Sequence, residues 1–202
     1  MRTVTALFDA YDHAAAAVRS LRDAGVASAD ISLVANRMAE EAARDGGAEA
    51  RAAAAAGAGA LAGGGAGLIA GLGSVAIPGI GPVIAGGWLL ASAVGAVAGA
   101  AVGGAAGGLL GALANAGVPE EEAHVYAEGV RRGGTLVSVR AADERAETVA
   151  AILGSAQGVD IDARRTDYLA EGWTGFDEDA PAYTEEQIRD YRSACGLVPP
   201  IA

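Results

Sequence analysis

The pattern of hydrophobic and polar positions changes twice along the chain. Residues 1–51 and 120–202 mix apolar and charged side chains, whereas the 68 residues from Ala52 to Pro119 carry no charged side chain. Glycine recurs every fourth position in this stretch, in two ladders. The first ladder is Gly59, Gly63, Gly67 and Gly71, and the second is Gly95, Gly99, Gly103, Gly107 and Gly111.

The ladders predict an apolar helical hairpin over residues 52–117. Glycine costs about 1 kcal/mol relative to alanine inside a helix, but glycine at every fourth position leaves a stripe along which two helix backbones can approach closely. We expect Ala52–Val75 and Val83–Ala116 as the two arms. The turn between them is expected at Pro78, Gly79, Gly81 and Pro82. The ladder glycines are therefore candidate positions for helix packing and oligomerisation.

Either lipid or the interior of a protein assembly could surround this hairpin. Ala52–Val75 would extend about 36 Å as a helix, which exceeds the hydrocarbon core of about 30 Å, but alanine and glycine add little to insertion. Arginines before and after the hairpin favour the cytoplasmic side of the cell membrane for both flanks. The alternatives are a cytoplasmic soluble cage or filament with buried hairpins, and a pore or mechanosensitive membrane element.

Two β-α-β units flank the hairpin and predict the fold class. The first contains strand Thr3–Phe8, a helix with Asp12 as its N-cap that ends near Gly25, and strand Ile31–Val34. The second contains strand Thr135–Val139, helix Asp143–Ala156 and strand Val159–Ala163, and helix Pro119–Arg132 precedes it. Together they predict an α+β, ferredoxin-like β-α-β-β-α-β sandwich with its helices on one sheet face, interrupted by the hairpin.

The expected organisation has six parts. They are the first β-α-β half (1–36), a charged linker (37–51), the glycine-zipper hairpin (52–117), an amphipathic helix (118–133), the second half (134–166) and an acidic tail (167–202). In the tail, Thr184 and Gln187 form a capping-box pattern that predicts a short helix to about Ala194. We expect Trp173 and Phe176 to anchor the tail on the domain.

Charge excludes some classes of function. The net charge is −11, with −2 in residues 1–51 and −9 in residues 120–202, and every basic residue is arginine. An acidic chain without a basic cluster argues against nucleic-acid binding. The single cysteine, Cys195, rules out an intramolecular disulfide and fits a reducing compartment. The N-terminus lacks the pattern of a cleaved signal, so the protein is expected to stay unsecreted.

The sequence contains no convincing catalytic, cofactor or metal site. Gly71-Leu72-Gly73 and Gly79-Ile80-Gly81 do not complete a dinucleotide fingerprint, because no Gly falls at 76 or 84 and no acid follows before Glu120. His13 and His124 have no cysteine partner for a metal, and Cys195 has no nearby base. Asp177-Glu178-Asp179 is better explained as a solvated tail than as a Ca²⁺ site, and Arg164-Arg165 as a surface pair than as a phosphate clamp.

Three stretches resemble the bacterial general-stress, or heat-induced stress protein, domain family. The first is Val4–Asn36 with Phe8-Asp9, Asp12, Gly25 and Asp30-Ile31-Ser32. The second is the Gly/Ala hairpin with Pro78-Gly79-Ile80-Gly81-Pro82, and the third is Tyr126–Gly134 followed by Gly172-Trp173. The likeness covers roughly residues 3–176. It implies a stress-linked protein and supplies no catalytic residues.

These observations predict a non-enzymatic, membrane-associated, stress-related assembly protein. Its partners are expected to be other copies of itself and the lipid bilayer. No cofactor, nucleic acid or small-molecule substrate is expected.

Overall fold

The computed structural model describes residues 1–37, 73–89, 91 and 108–196. Within these residues the chain forms an α+β fold with five strands and six α-helices. The strands are β1 (Arg2–Phe8), β2 (Ile31–Asn36), β3 (Gly73–Ile77), β4 (Gly81–Gly86) and β5 (Thr135–Ala141). The helices are α1 (Tyr11–Asp23), α2 (Gly108–Asn115), α3 (Glu120–Arg131), α4 (Ala146–Ser155), α5 (Ile161–Ala170) and α6 (Glu185–Ala194).

The five strands form one antiparallel sheet in the order β1-β5-β2-β4-β3. Ala6 of β1 and Leu33 of β2 both face Val137, so β5 lies between the two N-terminal strands. The expectation that the strands before and after the glycine-rich stretch share one sheet is therefore confirmed. The α+β class is confirmed as well.

The predicted turn region of the helical hairpin is a β-hairpin. β3 and β4 pair through Val75 and Val83, so the prediction of helix at residues 73–75 and 83–86 is wrong. Pro78 and Gly79 occupy the centre of a turn in which the Ile80 amide donates to the Ile77 carbonyl, and Gly79 has a φ of 72°. Proline followed by a residue of positive φ is the type II β-turn combination.

The predicted fourth strand, Val159–Ala163, is wrong. The Val159 amide donates to the Leu7 carbonyl of β1 at 2.8 Å, but the chain then enters α5. Asp160 caps this helix by accepting a hydrogen bond from the Ala163 amide at 3.0 Å. The alternation of apolar and acidic residues that suggested a strand is thus a helix N-terminus, where aspartate is a preferred cap.

Helices cover both sheet faces, which corrects the expectation of helices on one face. On one face, α1 and α4 bury Phe8, Leu33 and Val137. On the other face, α2 and α3 bury Leu7, Val34 and neighbouring residues. Five strands with two covered faces replace the predicted four-stranded ferredoxin-like arrangement. The amphipathic α3 causes the difference, because its apolar side packs on the second face.

The helix ends lie within one or two positions of those predicted from the sequence. Helix α3 begins at Glu120 with Pro119 as its N-cap, one position later than predicted. Helix α1 begins at Tyr11 with Ala10 as N-cap, so Asp12 lies in the first turn rather than at the cap. The capping box of Thr184 and Gln187 at α6 is confirmed.

Candidate functional site

Most of the ladder glycines lie outside the residues that the structure describes. Gly111 is the exception, and it is buried within α2. Of the predicted turn residues, Pro78 and Gly79 lie in the turn between β3 and β4, and Gly81 and Pro82 begin β4. Residues 52–72, 90 and 92–107 of the predicted hairpin also lie outside the described residues. Ladder packing therefore remains a prediction.

The two segments that contain the other ladder glycines are flanked by elements of the packed domain. Residues 38–72 follow β2, whose last residue, Asn36, donates from its side-chain amide to the Val130 carbonyl at 3.1 Å. Residues 92–107 follow Leu89, whose amide donates at 3.3 Å to the Ser32 hydroxyl. Leu89 and Leu109 belong to the same hydrophobic core and are each 1% exposed. Both segments therefore leave and re-enter one packed domain.

The C-terminal tail crosses the β3–β4 turn. A Cβ added to Gly79 would lie 2.7 Å from the Asp177 carbonyl oxygen, and one added to Gly81 would lie 2.9 Å from the Ala182 Cβ. Phe176 is 6% exposed in the core and Trp173 packs against the same core. The prediction that these two aromatics anchor the tail is confirmed.

His124 helps to hold this crossing. Its Nδ1 accepts a hydrogen bond from the Phe176 amide at 3.0 Å, which requires that nitrogen to be unprotonated. Arg131 donates to the Pro181 carbonyl at 2.8 Å and lies 4.5 Å from the Tyr183 ring centroid. Within the described ranges, no group of His, Cys, Asp and Glu has the arrangement of a metal site.

A buried cluster of charged residues and tyrosines joins the tail to the sheet. We call it the arginine–tyrosine cluster. Its members are Asp9, Glu128, Arg132, Arg164, Tyr168, Glu171, Tyr191 and Arg192. Arg164 binds the Asp9 carboxylate with two hydrogen bonds of 2.9 and 2.6 Å. Arg192 donates to the main-chain carbonyls of Asp9 at 2.7 Å and Gly133 at 3.0 Å.

Arg132 links the two carboxylates on the other side of the cluster. Its Nε donates to Glu128 at 2.7 Å, and its Nη1 donates to Glu171 at 2.5 Å. Its guanidinium lies 4.2 Å from the Tyr168 ring centroid, within cation–π range. Burial alone would lower the pKa of Arg132, but its hydrogen bonds to Glu171 and Glu128 raise the pKa above its ordinary value.

The cluster corrects one prediction and contains the residues that sequence reasoning missed. Arg164 was expected on the surface, yet its side chain is 13% exposed and pairs with Asp9, which is distant in sequence. Arg165, which is 41% exposed and pairs with Glu121, fits the surface description. The arginine pairs Arg131-Arg132 and Arg164-Arg165 in the sequence could have marked some of these residues as candidates, but their partners depend on the tertiary fold.

A groove of about 320 Å³ lies along the outer edge of β1. Its floor is Arg2–Thr5. One wall is Gly117–Pro119 with Glu122 and Tyr126 of α3, and the other is Ala146, Glu147 and Ala150 of α4. Tyr126 is 4% exposed and donates to the Thr5 carbonyl at 3.1 Å. Burial, followed by the charges of Glu122 and Asp162, raises the pKa of its hydroxyl. We call this feature the β1 groove.

Comparison with known proteins adds no relative. No family model matches the chain, and neither curated proteins nor solved structures gave a match. Across the described part of the chain, no helix combines the length and apolar character needed to cross a membrane.

Proposed function

We propose that this is a non-enzymatic assembly protein. Its α+β domain holds two apolar, glycine-laddered segments that associate with the same segments of other copies. The segments are charge-free over residues 52–72 and 92–107. The observation that carries the proposal is that both segments start and finish in one packed domain, at Asn36 and β3 and at Leu89 and α2.

The physical argument starts from the apolar composition. A charge-free run of Ala, Gly, Leu, Ile and Val presents apolar surface that is stabilised by burial, at roughly 25 cal/mol per Å². Glycine at every fourth position leaves room for a second backbone. Association of equivalent segments from several copies buries this surface and uses the ladders for close contact.

The fixed ends favour protein–protein burial over membrane crossing. A segment that leaves and re-enters the same domain must cross a bilayer twice, and each helical crossing needs about 20 apolar residues. Residues 92–107 number 16 and residues 38–72 number 35, and the latter include charged positions. Membrane association in this proposal is therefore peripheral, on the cytoplasmic side. The stress-related role rests on the sequence resemblance alone.

Two variants test self-association. Gly67→Leu and Gly103→Leu each place a bulky side chain on a ladder, where overpacking typically costs about 1–3 kcal/mol. Repeated across an assembly, this cost should reduce the particle mass measured by light scattering, while the thermal unfolding of the domain stays unchanged. The matched control is Gly154→Leu in α4, because a Cβ at Gly154 meets nothing within 4 Å.

The outcomes separate the alternatives. A wild-type particle of several copies that both ladder variants dissociate supports the proposal. Unchanged mass in both variants contradicts it. Flotation with liposomes, without detergent, distinguishes peripheral membrane association from a soluble cage or filament. Release from liposomes by high salt or carbonate argues against a pore or other spanning element.

A further inference from the structure

The β1 groove presents main-chain hydrogen-bonding groups of a sheet edge. β1 pairs with β5 on one side, and no described strand pairs with its other side. The Leu7 and Thr5 carbonyls point away from β5, because they accept hydrogen bonds from Val159 and Tyr126. Main-chain groups alternate in direction along a strand, so the amides of Thr3 and Thr5 and the Thr3 carbonyl also point into the groove.

The walls of the groove suit one added strand. Helix α3 borders the groove on one sheet face and α4 borders it on the other. A strand beside β1 would direct alternate side chains toward these two helices. Ala146 and Ala150 leave space on the α4 side, and Val118 adds apolar surface on the α3 side. The hydrogen bond between Val159 and Leu7 closes one end, so the open edge is the Arg2–Thr5 stretch that forms the floor.

The charges of the groove favour a basic partner. Glu122 stands on the α3 wall and Glu147 on the α4 wall, one on each side of an added strand. Asp162 lies close enough to contribute to the raised pKa of Tyr126, which makes the α3 side more acidic. Arg2 is the basic residue on the floor. The net charge of −11 adds a long-range attraction for cationic segments.

We propose that the β1 groove binds an extended basic segment of another polypeptide by strand addition. The segment pairs with Thr3 and Thr5 through main-chain hydrogen bonds. Its Lys or Arg side chains meet Glu122 and Glu147, and its apolar side chains contact the walls. Strand addition to an exposed edge is a common mode of peptide recognition, in which the main chain supplies affinity and alternate side chains supply specificity. None of the residues that line the groove is a ladder glycine, so this proposal does not rest on the proposed assembly.

The test uses blocked hexapeptides and the full-length protein. A peptide in which pairs of lysine alternate with pairs of valine directs a lysine to each wall, because neighbouring side chains of a strand point to opposite faces. This lysine–valine peptide should bind in calorimetry, and should shift the amide signals of Thr3 and Thr5 in the isotope-labelled spectrum. A glutamate–valine peptide tests charge, and a lysine–proline peptide tests the main-chain bonds, because proline has no amide hydrogen. Both should bind at least about tenfold more weakly.

Protein variants locate the binding. Ala150→Phe should fill the groove and abolish binding, whereas Ala151→Phe, an exposed neighbour outside the lining, should leave it unchanged. Glu122→Gln with Glu147→Gln should weaken binding about tenfold, with Glu144→Gln as the neutralisation control. Circular dichroism establishes that each variant is folded. The charge variants still test the site if Ala150→Phe is unfolded.

Each contrary result overturns the proposal. Absence of binding by the lysine–valine peptide rejects the site. Equal binding of the proline peptide rejects strand addition, and equal binding of the glutamate peptide rejects the basic partner. A lower particle mass for Ala150→Phe than for Ala151→Phe, measured without peptide, would identify a second copy of this chain as the occupant.

Discussion

Removal of the Glu128 charge should destabilise the domain far more than removal of the Glu171 charge. Both carboxylates bind Arg132, at 2.7 and 2.5 Å, so the pair offers a matched comparison at one guanidinium. Their surroundings differ, because the Glu128 side chain is 1% exposed and that of Glu171 is 53% exposed. The distances alone would make Glu171 the stronger partner of Arg132, whereas burial makes Glu128 the stronger partner.

The magnitudes follow from burial. Breaking a buried ion pair by removing one partner costs about 3–5 kcal/mol, since the remaining charge stays buried without compensation. Arg132 keeps Glu171 in the Glu128→Gln variant, so we expect the lower end, about 3 kcal/mol. An exposed pair contributes about 0.2–1 kcal/mol, which sets the expectation for Glu171→Gln. The total free energy of unfolding of a typical domain is about 5–15 kcal/mol, so a loss of about 3 kcal/mol is a large share of it.

Urea unfolding measures the difference. With a slope of about 2 kcal/mol per molar urea, Glu128→Gln should lower the midpoint by about 1.5 M, and Glu171→Gln by less than about 0.5 M. A double variant, Glu128→Met with Arg132→Met, should recover part of the loss, because an apolar pair removes the buried charges together. Equal losses in the two single variants would show that burial does not govern this network.

Two further predictions concern packing and pH. A Cβ at Gly129 would collide with the Leu7 side chain, so Gly129→Ala should lower the free energy of unfolding by about 1–3 kcal/mol, measured by thermal unfolding. In the control, Gly154→Ala, the added methyl group meets open space and should raise the free energy of unfolding by up to about 1 kcal/mol. Equal effects of the two substitutions would contradict the predicted clash. Burial raises the pKa of Tyr126, Tyr168 and Tyr191 above the ordinary 10.0, so the folded state keeps protons that the unfolded chain releases. The free energy of unfolding should therefore fall as pH rises above 10.0, and it should fall less steeply in Tyr126→Phe. A tyrosinate absorbance that increases gradually while the protein is still folded would contradict this prediction.

Local patterns in the sequence were sufficient for the elements at both ends of the chain. Apolar periodicity and helix-capping signals, which act over a few residues, predicted strands β1, β2 and β5 and helices α1, α3 and α4. The capping box at Thr184 is equally local. Such signals are reliable because propensity, periodicity and capping agree at these positions. The tail anchors were predictable too, since Trp173 and Phe176 are large aromatics in an acidic, polar segment.

The β3–β4 hairpin was missed because its composition fits two structures. Residues 73–86 continue the charge-free run on both sides, and period alone does not separate a short buried strand from a buried helix segment. The better signal was the clustering of β-branched residues around a Pro-Gly turn. Val75, Ile77, Val83 and Ile84 favour strands, and Pro78-Gly79 supplies the turn.

The arginine–tyrosine cluster and the β1 groove depend on contacts between distant residues. Asp9 and Arg164 are separated by 155 positions. Glu171 reaches Arg132 only because the C-terminal end of α5 lies beside the C-terminal end of α3. Sequence spacing places side chains on a shared face of one element, but it does not specify which elements become neighbours. From sequence, Arg164 was predicted only as half of a surface pair, and its partner Asp9 was missed.

The β3–β4 hairpin also changes what the glycine ladders can do. In the predicted helical hairpin a short turn would bring the ladders together as consecutive arms. In the structure, fourteen residues of paired strand and turn separate them, and Val83 and Ala85 fix this hairpin in the core. The ladder glycines before β3 and those after β4 therefore belong to two different segments of the chain, and Gly111 lies within α2. The proposed assembly is accordingly tested one segment at a time, by Gly67→Leu in the first and Gly103→Leu in the second.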